Sequence, residues 1–183
     1  MLLTIPVIGG AGYFAAAAVA AYLYHREVEF KRNIRLSQLY LGMALILSLL
    51  GLVHIMNLTG EIADGVRTMA KNDGWYATRR PMQARIILFV TACVLLSGSG
   101  IVWKFRKSVL PVLDTVLWLG GCIIYTTIAA ISLHQIDWVL SRWVGPIRIG
   151  NLVQLGLLTG VMMSLIMKLK QNIRIAGPRL ARH

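Results

Sequence analysis

His134 and Asp137 are the pair in this 183-residue chain best suited to proton chemistry. They stand three residues apart, so a continuing helix presents both on one face. A carboxylate beside an imidazole fixes its tautomer, raises its basicity and lets it relay a proton or orient a ligand. Two further sets of polar residues come near them. Arg79, Arg80, Gln83 and Arg85 follow Trp75 and Tyr76 in the segment Gly74–Gln83 and the helix start after it. Arg148, Asn151 and Gln154 are spaced by three and open the last apolar run as one polar stripe. Paired arginines suit an anionic or carbonyl group, and polar residues entering an apolar helix ordinarily face the bundle interior and mark a site. His54 and Asn57 add polar groups at the end of another apolar run.

These residues sit on long hydrophobic elements. The chain is 57% apolar and only 14% charged, against about 25% charged for a soluble domain. Five runs have the length of a membrane-crossing helix, roughly 20 residues: about 2–24, 36–58, 84–103, 110–133 and 149–167. They are continuous rather than alternating, so helices are expected and barrel strands are not. The expected fold is an all-α, polytopic transmembrane helical bundle forming a single domain over 1–183. The first run has no Lys or Arg before Arg26, so it reads as an uncleaved helix and not as a signal peptide.

Charge orients the bundle. Segments 25–35, 104–109 and 168–183 hold 12 of the 19 cations, net +9 once Glu27, Glu29 and the nearby Asp114 are counted, while the opposite segments hold seven cations, net +3. By the positive-inside rule the expected topology is N-out, C-in. The formal net charge of +12 is therefore an orientation signal and no nucleic-acid footprint, which needs a folded basic face. The basic loops suit anionic lipid on the cytoplasmic side.

The longest connection, from Thr59 to Gln83, carries Ile62, Val66 and Met69 at helical spacing with Glu61, Asp64, Arg67 and Lys71 between them. It is expected to form a short amphipathic helix on the outer surface, stopped by Asn72-Asp73-Gly74. Trp75, Tyr76, Trp138 and Trp143 are expected at the headgroup level. Small residues recur at packing spacing: Gly9, Gly10, Gly12 and Ala15 to Ala18, then Ser97 to Gly100, then Gly156 with Gly160. They serve close helix contacts within the chain or dock a protein partner or a second copy, span one being the clearest face for this. Asp114, near the basic edge of span four, is expected to be neutralised by Lys104, Arg106 or Lys107. A proton relay there needs a second titratable group at the same depth, and none is legible. Cys93 and Cys122 fall inside spans, so no disulfide framework is expected. No metal-ligand spacing, Walker loop, nucleophile elbow or H-E-x-x-H is present.

The run G-W-Y-x-x-R-R-x-x-Q at Gly74 to Gln83, S-x-H-x-x-D at Ser132 to Asp137 and R-x-x-N from Arg148 resemble a family of small bacterial integral membrane proteins. The likeness covers most of the chain from about Asn57 onward. Some members of that family carry a second His where this chain has Gln135 and a Glu about where it has Gln154. The resemblance implies a bacterial inner-membrane location and brings no activity with it.

Three functions are compatible with these features. One is a non-catalytic accessory, assembly or scaffold component of an inner-membrane complex. A second is a binding or redox site at the outer leaflet for a quinone or phospholipid, built from Arg79, Arg80, Gln83, His134, Asp137, Arg148, Asn151 and Gln154. A third is a b-type haem protein with His54 and His134 as axial ligands from facing helices. The first needs no cofactor and is the favoured expectation.

Overall fold

The computed structural model describes residues 4–30, 33–74, 79–104, 106–131, 140–145 and 147–180. The described chain is all-α apart from one two-stranded ribbon. Helix α1 spans Thr4–Glu29, α2 Ile34–Ile55, α3 Leu58–Asn72 and α4 Arg79–Lys104. A short α5, Arg106–Val109, passes through a 3-10 turn at Leu110–Val112 into α6, Leu113–Ile131. Strands β1 (Trp143–Val144) and β2 (Ile147–Arg148) pair antiparallel before α7, Ile149–Leu180.

Among the described residues, three stretches are long and apolar enough to cross a membrane: Ile34–Ile55, Arg106–Ala130 and Ile149–Ile173. Helices α1 and α4 have 26 residues each, about 39 Å at 1.5 Å per residue.

Local sequence explains the boundaries. Asn33 caps α2, its side-chain oxygen accepting from the backbone N–H of Arg35 at 3.1 Å and of Leu36 at 3.2 Å. Pro111 lies in the 3-10 turn ahead of α6, where its missing N–H leaves no helical bond unmade. Between α2 and α3 the chain turns at Asn57, which takes a left-handed backbone with φ 50°. Helix α3 is strongly amphipathic, as its sequence pattern predicts, and it lies against α6. It runs to Asn72, and the chain then leaves through Gly74 at φ +73°, a conformation that glycine adopts without a Cβ clash.

The core is made by α1, α2, α6 and α7. Ala16, Ala17 and Ala20 of α1 are buried against Tyr40, Met43, Ala44 and Leu47 of α2, and these join Leu119 and Cys122 of α6 and Leu158, Val161 and Leu165 of α7. Small side chains on α1 let the neighbouring backbones approach, as apolar surroundings require when burial supplies no drive between helices. Added Cβ atoms show how close they come. One at Gly10 would stand 2.4 Å from Ile55 Cγ1, and one at Gly12 would stand 2.5 Å from Leu158 Cδ2. Gly9, Gly10, Ala16 and Ala17 of this small-residue set thus pack within the chain, while Ala15 and Ala18 are exposed. Helix α4 is peripheral. It packs on α6 and leaves Leu88, Phe89, Leu96 and Trp103 exposed.

Candidate functional site

Two polar clusters lie at opposite ends of the core. The first joins α1, α2 and α7. Gln154 is 6% exposed, and its side-chain amide nitrogen donates to His54 Nε2 at 2.7 Å. The same amide nitrogen lies 3.3 Å from His54 Nδ1. The Tyr13 ring meets the His54 ring edge to face, with centroids 6.0 Å apart and planes at 64°. Gly9 makes room for both partners, since a Cβ there would stand 2.9 Å from His54 Cδ2 and 3.3 Å from Gln154 Nε2. Tyr13 is 1% exposed, and its hydroxyl is buried without a hydrogen-bond partner among the described residues. Nearby, Tyr125 Oη donates to the Gly150 carbonyl at 2.8 Å and ties α6 to the start of α7.

The second cluster joins α1, α6 and α7 at the other end. Ser164 Oγ donates to Asp114 Oδ2 at 2.7 Å and touches Thr115 Oγ1, a fully buried hydroxyl. Lys168 Nζ stands 3.5 Å from Asp114 Oδ1. One turn further along α7, Asn172 Nδ2 donates to Glu27 Oε1 at 3.2 Å, and Glu27 is 4% exposed. Asn33 Nδ2 reaches Ser108 Oγ at 3.5 Å at the same end.

This corrects two expectations about Asp114. Among the described side chains its cation is Lys168 and not Arg106 or Lys107, because α6 and α7 pack against each other and bring Ser164 and Lys168 beside the first turn of α6; the side chain of Lys104 lies outside the described ones. A second carboxylate does stand near its depth: Glu27, which the sequence assigns to a loop but which belongs to the last turn of α1. The absence of any breaker between Tyr24 and Asn33 is the signal that α1 continues.

The expected outer-face residues divide. Gln154 is buried in the first cluster, and Asn151 is half-buried one turn earlier on α7. Arg148 differs from the expected stripe. It lies in β2, outside the helix, exposed, with its guanidinium carbon 5.3 Å from the centre of the Trp143 ring. The register explains this, because Trp143 pairs directly with Arg148 across the ribbon. Trp143 is itself exposed. Arg79, Arg80 and Gln83 occupy the first turns of α4, which starts five residues before the expected span, and their side chains lie outside the described ones. His134, Asp137 and Trp138 lie outside the described residues, as do Trp75 and Tyr76. The haem pairing of His54 with His134 therefore has one described member, and that imidazole is engaged by Gln154.

Sequence reasoning missed Tyr13 altogether. A tyrosine among glycines and alanines carries no periodic signal, and its role follows from where α2 and α7 lie. It placed His54 and Gln154 at similar depth on one side but did not pair them, since they are 100 residues apart. Among the described residues no group of three or more His, Cys, Asp or Glu side chains is arranged to hold a metal ion. Comparisons of the chain with protein-family models, curated proteins and solved structures found no match.

Proposed function

We propose that this chain is a five-span inner-membrane protein of bacterial type, oriented N-out and C-in, that serves as a non-catalytic accessory or scaffold component of a larger membrane complex. The observation that carries this reading is how its interior polar groups are used. Apart from the Tyr13 hydroxyl, the groups of the two clusters bind one another across helices: Gln154 with His54, Ser164 with Asp114 and Thr115, Asn172 with Glu27. Such pairs fix the rotation and register of each helix, which is what a rigid docking framework requires. The orientation is supported by the meeting of three basic segments at one end, through Asn33–Ser108, Lys168–Asp114 and Asn172–Glu27. The exposed apolar side of α4 is the surface offered to a partner protein or a second copy.

The test is purification in a mild detergent, with an absorption spectrum and mass spectrometry of what accompanies the protein. A stoichiometric protein partner supports the scaffold reading. A monomer that emerges alone from every mild detergent refutes it.

A second reading is favoured by one observation, the buried hydroxyl of Tyr13 beside the His54–Gln154 pair. Neutral donors without a cation suit a carbonyl oxygen better than a phosphate, so within this reading the ligand is a quinone head group and not a phospholipid. Retained quinone that disappears in His54→Leu supports it, and quinone-free protein rules it out. The same spectrum tests haem, since no Soret band means no haem b.

A further inference from the structure

We propose that Tyr22, Arg26 and Phe30, on the last turns of α1 and just beyond, form a binding site for the phosphate of an anionic phospholipid. The assignment rests on the membrane reading above and adds to it a specific lipid site.

The three residues are spaced by four and follow one side of the helix. The Arg26 guanidinium carbon lies 4.9 Å from the centre of the Phe30 ring and 6.0 Å from that of Tyr22, and Nη1 donates to Tyr22 Oη at 3.4 Å. Both rings are exposed. Aromatic contact holds a guanidinium by its face and leaves its N–H edge open, and that planar fork matches a phosphate. Tyrosine and arginine at a helix end are also the side chains that settle at the headgroup level.

Charge at this end favours an anion. Glu27 is buried and takes the Asn172 amide. Asp114 takes Ser164 and Lys168. Glu29, beside Phe30, faces His25 at 3.8 Å. No carboxylate among the described residues pairs with Arg26, while Arg35, Arg106, Lys107 and Lys170 are exposed at the same end. An anion arriving at Arg26 thus meets a positive field with its acids already engaged. Ala18, Ala15 and Ala11 continue the stripe along α1 and are exposed. Phe14, four residues before Ala18 on the same side, is also exposed, so an acyl chain below the headgroup lies along the alanines and against that ring. A lipid fits this layout and a free phosphate does not use it.

The experiment titrates the full chain in a neutral detergent with phosphatidylglycerol, or with phosphatidylcholine of the same acyl chains, and counts bound lipid by native mass spectrometry. Wild type is expected to retain phosphatidylglycerol preferentially. Arg26→Gln should weaken that binding roughly five-fold, equivalent to about 1 kcal/mol. Phe30→Leu, which leaves every charge in place, should weaken it in the same direction. Arg106→Gln, removing an exposed cation at the same end, should leave it within two-fold. The proposal is overturned if Arg26→Gln binds as wild type does, or if Arg106→Gln lowers binding equally, which means diffuse charge. It is also overturned if millimolar inorganic phosphate displaces the lipid. Failure of the membrane reading shows separately, as release of the chain from membranes by alkaline carbonate.

Discussion

Gly156 and Gly160 form one G-x-x-x-G motif, yet the structure gives the two glycines opposite environments. A Cβ at Gly160 would stand 2.4 Å from Trp118 Cδ2 and 2.7 Å from both Cε2 and Cε3, whereas one at Gly156 would meet nothing within 4 Å. Carbon atoms settle at about 3.5–4.0 Å. Gly160→Ala therefore obliges the fused rings of Trp118, which is 44% exposed, to retreat by roughly 1 Å from their place against α7. Overpacking of this kind typically costs about 1–3 kcal/mol. At about 2–4 °C per kcal/mol for a chain of this size, the melting temperature in detergent should fall by roughly 2–12 °C. Gly156→Ala relieves a glycine within a helix and should be neutral or slightly stabilising, by up to about 1 kcal/mol. The assay is thermal unfolding of both variants in one detergent, followed by tryptophan fluorescence, with the oligomeric state measured alongside. The reasoning fails if Gly156→Ala is the damaging substitution, or if the two behave alike. Either result would mean that the motif is a seam between chains and not the seat of Trp118.

The His54–Gln154 pair should show a coupling of about 0.6–1.7 kcal/mol in a double-mutant cycle of His54→Ala and Gln154→Ala read by unfolding in detergent, and strict additivity would discount the contact. Gly9→Val should disrupt the same pair by driving its side chain into the imidazole, lowering stability by about 1–3 kcal/mol, and a tolerated valine would mean that α1 lies further from α2 than described. Ser164→Ala removes a bond to a carboxylate and should destabilise by about 1.5–3 kcal/mol, whereas Lys170→Ala, exposed nearly two turns away, should change stability by under about 0.5 kcal/mol. N-ethylmaleimide in detergent should label the exposed Cys93 well before the buried Cys122, as counted by intact mass, and equal rates would contradict the packing of α6.

Much of the architecture is legible in the sequence because helix formation is local. Runs of apolar residues, Pro111 before α6 and the stop at Asn72-Asp73-Gly74 act within a few residues of where they stand. The amphipathic pattern of Ile62, Val66 and Met69 is legible for the same reason. Legibility fails where a polar residue sits near a change of structure. Arg148, Asn151 and Gln154 have helical spacing, but backbone pairing with Trp143 takes Arg148 into a ribbon and leaves the helix to begin at Ile149. Glu27 has the composition of a loop and the position of a helix end.

By itself the sequence determined that this chain is helical and apolar, and it sorted the cations into the segments that meet at one end of the bundle. Only the tertiary structure decided which polar groups meet. Glu27 and Asn172 are 145 residues apart, and His54 and Gln154 are 100 apart. The physical reason is that a helix satisfies its backbone within four residues, whatever its surroundings. The direction in which each face points depends on the helix's rotation about its own axis. That rotation is set by fitting small residues against large ones across helices: Gly9 under His54, Gly12 under Leu158 and Gly160 under Trp118.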